Sequence, residues 1–523
     1  MIKHRWQRND SMGVSLGACR FAEAAGLLAS CGGMNRWAGD PRLRGPLTPL
    51  IAGAAISAVV ALVVAVANAC VPGSGKPEAR PSRPGPAASG APAPSPAGTP
   101  GPITPPGYAP DKPVLNQPFA DPSVIKVAGT YFAYGTNNGE AAMPVATAPS
   151  PTGPWTRTPG DGLARLPAWA TTGRTWAPEV VPPRPGSPSV YTLYFSARRK
   201  DHDIQCIGVA TASSPAGPFV PVDGDPLVCP QQLGGAIDPA SHIEPDGTRY
   251  LLYKSDARES SAIFLVRLSP DGLGIAAAPV KLIGRESEPV LVEAPDLVRR
   301  GGKYVLLYSS GWYFRSNYQT RYATAPSIEG PYTKAPAPLQ STEAYGRKVD
   351  GPGSADVLSD DTGDYLVFHG IIGYHGGSTV NRGMYVAPLG WDGARPVVRG
   401  VPVRYEAEAG RLNGCVSALD RPGASGRKAV GPFDRDGCRV EVPVFAPTAG
   451  RYTVRTQYAN RSGHDTDLEL SANGTAGAQV RLRVTKGADW TSVAADVELG
   501  AGWNTLGLRR LNGQGQVDYL EVR

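Results

Sequence analysis

The chain has 523 residues, with 64 glycines, 53 prolines and 19% charged residues. Turn formers at this density exclude a protein built mainly of long helices and favour many short strands. The net charge of +7 is spread without a basic stripe or interleaved aromatics, which excludes a nucleic-acid-binding surface.

Residues 1–70 read as a leader. Its segment "LIAGAAISAVVALVVAVANAC", Leu50 to Cys70, is long enough to span a bilayer as a helix. Arg36, Arg42 and Arg44 precede it as a positive flank. It is either a retained signal anchor or a cleaved signal. In the second case "VANAC" is a loose lipoprotein box and Cys70 the lipidated residue, although Ala67 stands where such boxes carry a larger aliphatic. Met34 lies just upstream, so Met1 to Gly33 reads as the product of an early start. Both readings export the rest of the chain, to the cell surface or the medium, with the membrane touched only through this segment.

Residues 71–113 form a Pro-rich linker, expected to be extended. Cys19, Cys31 and Cys70 belong to the leader. That leaves Cys206 with Cys229 and Cys415 with Cys438, expected as disulfides in an oxidising compartment. No C-x-x-C or clustered His supports zinc.

From 114 to 401 the chain repeats a phrase: "ATAPSPTGPWT" from Ala146, "ATASSPAGPFV" from Ala210 and "ATAPSIEGPYT" from Ala323. Degenerate copies run from Ile263 ("IFLVRLSPDGLGI") and Met384 ("MYVAPLGWDGARPV"). Strand-like text precedes each: "TYFAYG", "VYTLYFSA", "RYLLYKS", "KYVLLYSS" and "DYLVFHG". Five units of about 60 residues, each with several short strands, predict a five-bladed β-propeller. The phrase then supplies a late strand and its turn, with the aromatic expected to cap the blade edge.

Each unit opens on a Pro- or Gly-containing stretch: "FADPSVI", "TWAPEVV", "AIDPASHI", "VEAPDLV" and "GPGSADVL". In a propeller the first strand of each blade lines the central channel. Asp121, Asp238 and Glu293, each after an apolar stretch, are therefore expected to converge there. Three converging carboxylates cannot all ionise freely, so their pKa values are driven apart. One site then holds both a general base and a general acid, which is what glycoside hydrolysis needs.

The motifs "ADPSVI", "TWAPEV", "IDP", "EAPDLV" and "RGMYVAPLGWDG", in this order, make Asn116 to Arg399 resemble family 43 glycoside hydrolases. The resemblance implies a five-bladed propeller acting on arabinose- or xylose-containing polysaccharides with inversion. It assigns Asp121 as general base, Glu293 as general acid and Asp238 as the residue that orients and tunes the acid. An inverting site separates acid and base by roughly 6.5–9.5 Å to admit water. His369 resembles a channel histidine that supports an ion or ordered water, and Arg382 a sugar-contacting arginine. Trp176 and Trp312 are candidate stacking walls, with blade-core packing the other reading of Trp176. Many relatives read "GPGH" where this chain has Ser354, which puts a channel ion in doubt. Fructan-cleaving propellers are the rival class, but they carry an Arg before the middle Asp and a Cys after the acid, where this chain has Ile237 and Ala294. A non-catalytic sugar-binding propeller is the other alternative, and the intact Asp121, Asp238 and Glu293 speak against it.

Residues 402–523 alternate as strands between glycine turns and read as a β-sandwich of jelly-roll type. "YEAEAG" from Tyr405, "AGRYTVRTQYAN" and "GWNTLGLRRLNGQGQVDYLEV" resemble carbohydrate-binding modules of families 6 and 35. The resemblance places a structural calcium on Glu406, Glu408 and Asp518, whose hard oxygens suit Ca²⁺. Tyr458, Trp490 and Trp503 are candidate sugar-stacking residues, with core packing expected for at least one. The expected whole is an exported monomer that needs no cofactor for catalysis. It binds a polysaccharide such as arabinan, arabinoxylan or xylan, with calcium in the module and a second candidate place for it in the propeller channel.

Overall fold

The computed structural model describes residues 109–184, 190–487 and 489–523. The leader segment Leu50–Cys70 and most of the 71–113 linker lie outside the described residues. Among the described residues no helix is long and apolar enough to cross a membrane.

Five four-stranded antiparallel sheets follow one another along the chain. Their first strands are Ser123–Val127, Ala170–Val181, Ala236–Ile243, Glu293–Arg300 and Asp350–Asp360. Each first strand touches the next around a ring, and the first touches the fifth. This is a five-bladed propeller with its first strands on the axis. The segment before the first blade closes the ring: Leu115 bridges Met384 of the fifth sheet.

One apolar core fills each gap between neighbouring blades. The repeated phrase explains this packing, and it corrects one expectation. Its "ATA" lies on each third strand, where small side chains let neighbouring sheets approach. Its aromatic does not cap an edge. Trp155 is buried between the first and fifth blades and Phe219 between the first and second. The Gly-Pro bonds of all three full copies are cis.

On each axial strand, or two residues before it in the first blade, one non-glycine residue lies in the left-handed region: Asp121, Ala177, Asp238, Ala294 and Ser354, with φ of 51°, 44°, 56°, 47° and 51°. Such a φ costs energy outside glycine and persists only where the surroundings impose it. Here they do. The N–H of Ala177 is taken by Thr136, of Asp238 by Ser196, of Ser354 by Ser309 and of Asp121 by His369. In each case the acceptor comes from the second strand of the preceding blade or, for Thr136, from just past it. The strand ladder bulges at the kink in the second to fifth blades.

Residues 403–523 form two antiparallel sheets, of six and five strands, which face each other across one core. The described residues of this sandwich touch the propeller through Arg399, which lies 3.6 Å over the Tyr452 ring and bonds Thr448. Disulfides join Cys206 to Cys229 and Cys415 to Cys438.

Candidate active site

The kinks put Asp121 and Asp238 at equivalent places on the first and third blades. Glu293 sits one residue before its kink. By register it corresponds to Trp176, Ile237 and Gly353, which pair with Ser196, Lys254 and His369 as Glu293 pairs with Ser309. The propeller thus brings the three carboxylates to one end of the axis by two different positions of the repeat. Below them the channel leaves a cavity of only ≈ 40 Å³, room for about one water. A sugar therefore reaches the carboxylates only from the mouth.

Asp121 is the most heavily bonded of the three. Arg382 Nη1 lies 2.9 Å from its Oδ1, His369 Nδ1 lies 3.2 Å from the same oxygen, and Thr136 donates to its Oδ2 at 2.5 Å. Burial pushes this carboxyl up, but the Arg382 guanidinium, with the Thr136 hydroxyl, outweighs it and holds it well below the usual carboxylate range. Asp121 is ionised at any working pH. His369 is fully buried. Burial and then Arg382 lower its pKa to about 4, so it is neutral, and both its ring nitrogens face protein groups, one of them the guanidinium.

Asp238 and Glu293 behave oppositely. Burial, and then the charge of Glu293, push Asp238 up to about 8 against the pull of Lys254. Burial also raises Glu293, while Lys254 and the Tyr318 hydroxyl draw it back. Two carboxyls that repel in a buried site share a proton near neutral pH. The residue expected to tune the acid is thus itself raised along with it. Asp238 Oδ2 also accepts the Ala294 N–H at 2.9 Å, which ties it to the neighbour of Glu293.

Arg382 reaches Asp121 and lies 4.7 Å over the Tyr313 ring. Trp312, in the same loop as Tyr313, is half-buried with its ring 5.6 Å from Phe314. Trp176 is half-buried at the register position that Glu293 occupies two blades on, which sets it at the channel mouth. Sequence reasoning missed Tyr318, Lys254 and Thr136. Tyr318 donates to Glu293 Oε1 at 2.8 Å and stacks on His369, rings 5.6 Å apart. A Cβ at Gly353 would stand 2.1 Å from the Tyr318 ring, so the second glycine of "GPGS" is what seats this tyrosine. Ser354 itself hands its N–H to Ser309.

A second tier of carboxylates lies deeper. Glu179 accepts the Ser241 N–H, Asp296 the Val357 N–H and Asp356 the Val124 N–H. Each bond ties two blades together, and burial raises all three.

In the sandwich, Asp518 accepts the Ser425 N–H with both oxygens, and the Ser425 hydroxyl donates to Glu406 Oε1 at 2.7 Å. Glu408 Oε1 lies near Gly426 of the same turn. Glu406 Oε2 and Glu408 Oε2 are buried without a hydrogen-bond partner. Burial, with the charges of Glu406 and Glu408, pushes Asp518 up to about 6. Glu406 and Glu408 thus each carry an orphaned oxygen beside Asp518, and hard oxygens of this kind suit a cation such as Ca²⁺. Trp490 is half-buried beside the adjacent Gly423. Trp503 is 51% exposed on the other sheet, edge-on to Phe445. Tyr458 is not a stacking surface. It is 3% exposed within the sandwich core, and its hydroxyl accepts the Arg483 N–H. Its strand alternates, and Tyr458 falls on the inward phase shared by Tyr452, Val454 and Thr456.

A five-bladed propeller whose mouth sets an ionised carboxylate beside a proton-sharing pair has the architecture of a glycoside hydrolase. A model of Glycosyl hydrolases family 43 matches residues 110–394, and one of Carbohydrate binding module (family 35) matches residues 403–523. The chain belongs to glycosyl hydrolase family 43, an inverting family, and carries a family 35 module. It is 28% identical over 271 residues to a beta-D-galactofuranosidase of Aspergillus niger, covering 49% of this chain and 75% of that one. It is 25% identical over 313 residues to an extracellular endo-alpha-(1->5)-L-arabinanase of Bacillus subtilis, covering 48% of this chain and 64% of that one. Among solved structures, a thermostable family-43 glycoside hydrolase aligns with a TM-score of 0.47 at 25% identity, over 54% of this chain and 93% of that one.

Proposed function

We propose that this protein is an exported hydrolase that cleaves arabinofuranosyl linkages in plant cell-wall polysaccharide, with xylosyl linkages as the second substrate class. The observation that carries the chemistry is the contrast between Asp121, paired with Arg382 Nη1 at 2.9 Å, and the buried Asp238–Glu293 pair, which retains a proton. The name of the galactofuranosidase gives a furanoside and that of the arabinanase an arabinose polymer, and an arabinofuranosyl linkage joins the two. The two disulfides and the extracellular arabinanase support export.

Asp121 is the base. Its oxygens are engaged, but a carboxylate offers about four lone-pair sites, so a water still finds one. The water oxygen attacks the anomeric carbon and its proton passes to Asp121. The glycosidic C–O bond breaks, its electron pair stays on the leaving oxygen, and Glu293 supplies the proton that neutralises it. Asp238 shares with Glu293 the proton that Glu293 delivers and, through the Ala294 N–H, fixes its backbone. Arg382 and the walls Trp176 and Trp312 position the sugar. Product analysis on arabinan, arabinoxylan and xylan tests the substrate. Arabinose or arabino-oligosaccharides are expected from the first two; neither product from either polymer overturns the assignment.

In the module, Glu406, Glu408 and Asp518 hold a structural calcium, and Trp490 and Trp503 are its sugar-facing aromatics. Calcium is expected to raise the melting temperature by several degrees, and Asp518→Ala to abolish that rise. Because the Asp518 carboxyl is pushed up to about 6, protons compete for it as the pH falls through 6, and the calcium effect fades there. A melting temperature indifferent to calcium and EDTA at pH 7 contradicts the site.

A further inference from the structure

The ring of kinked residues has one irregular member. Four of the five backbone N–H groups are taken by side chains on, or just past, the preceding blade's second strand. The fifth acceptor, by register, is Lys254, which pairs with Ile237 as Ser196, Ser309 and His369 pair with the residues before their own kinks. Lysine has no acceptor. Ala294, which follows Glu293, gives its N–H to Asp238 instead. The repeat is thus broken at the blade beside the acid, and the break costs a buried cation. The Lys254 side chain is 5% exposed, with Nζ 3.3 Å from Asp256 Oδ1 and 3.7 Å from Glu293 Oε2. Burying an ammonium is costly unless it is paired, and a serine at this place serves the fold in two other blades.

We propose that Lys254 is a positioning residue of the hydrolysis: its ammonium, anchored on Asp256, stands behind Glu293 and stabilises the carboxylate left when Glu293 gives its proton to the leaving oxygen. The inference rests on the acid role of Glu293 argued above. The geometry suits it. Tyr318 holds Oε1, and Lys254 sits at Oε2 beyond close hydrogen-bond range, near enough to stabilise a charge yet leaving that oxygen able to carry a proton. The charged and titratable groups facing Glu293 are Lys254 and Asp238 of the third blade, Tyr318 of the fourth, Asp121 of the first and Arg382 of the fifth. Those facing Lys254 are Asp256, Glu293 and Asp238. Asp121 and Asp238 favour the protonated acid, while Lys254 and Arg382 favour its release. Removing Lys254 removes a cation, so the pair must hold its proton to higher pH.

The test is the pH profile of kcat/KM on a nitrophenyl pentoside. In Lys254→Met the alkaline limb is expected to move up by about one unit or more. kcat is expected to fall at least about tenfold on an alkyl pentoside but only a few-fold on a dinitrophenyl one. Asp256→Asn, at a more exposed position, keeps the cation and removes its counter-charge, so the limb is expected to move down; this variant decides the matter if Lys254→Met does not fold. A limb that stays in place in the folded variants, or moves the other way, overturns the inference. Glu293→Ala separates the two levels: if its loss depends on the leaving group while the Lys254→Met limb is unmoved, only the role of Lys254 fails. If its loss does not depend on the leaving group, the acid assignment falls and the inference with it.

Discussion

Asp121→Ala lowers kcat by ~10³–10⁴-fold on every substrate, whatever its leaving group. In a single-step inversion the attacking water must lose a proton as it bonds to the anomeric carbon. A better leaving group does nothing for that proton. Asp121 is the one carboxyl of the three held well below the usual range, through Arg382 and Thr136, so it alone is reliably a proton acceptor near neutral pH. Removing it also leaves Arg382 without its carboxylate partner. Asp121→Asn, which keeps the shape and a hydrogen-bonding oxygen, separates lost basicity from disturbed packing and is expected to fall almost as far. Rates on polymer, nitrophenyl and dinitrophenyl pentosides check this. A loss that shrinks as the leaving group improves would assign Asp121 to proton donation instead.

Glu293→Ala shows that second pattern. On polysaccharide and alkyl pentosides, whose leaving oxygen must be protonated, kcat falls by ~10²–10⁴-fold. On a dinitrophenyl pentoside, whose leaving group departs as a stable anion, the loss stays within about tenfold. The slope of log kcat against leaving-group pKa, near flat in the parent, becomes steeply negative. A uniform loss across the series contradicts the acid role. Azide rescues neither this variant nor Asp121→Ala with retained configuration, because no covalent intermediate forms.

The propeller was legible because its repeat is chemical as well as periodic. "ATA", Gly-Pro and an aromatic recur because every blade must solve the same packing problem, with small residues where sheets approach and one large ring between them. The aromatic's destination was not legible, since a ring that caps an edge and one that fills a gap leave the same letter. Asp121 and Asp238 stood out as acids before proline in apolar text. What the letters hid is the left-handed kink, shared by Ala177, Ala294 and Ser354, which needs no single residue type. Tyr318 was invisible because it follows an irregular loop and acts across blades. Lys254 had a signal: a charge inside "RYLLYKS", on a strand whose neighbours Leu251, Leu252 and Tyr253 are all buried. Tyr458 was misread although the alternation of "RYTVRTQYA" already put it on the inward face.

The charge states of Asp121, Asp238 and Glu293 make sense only if water attacks from the Asp121 side as the bond to the leaving oxygen breaks on the Glu293 side. The measurement that bears on this most directly is proton NMR of the anomeric signal in the first minutes of hydrolysis, before mutarotation. The account predicts that an α-linked arabinofuranoside first yields the β-anomer. A first product with retained configuration would require a covalent glycosyl-enzyme and contradict both the division of roles and the single-step chemistry.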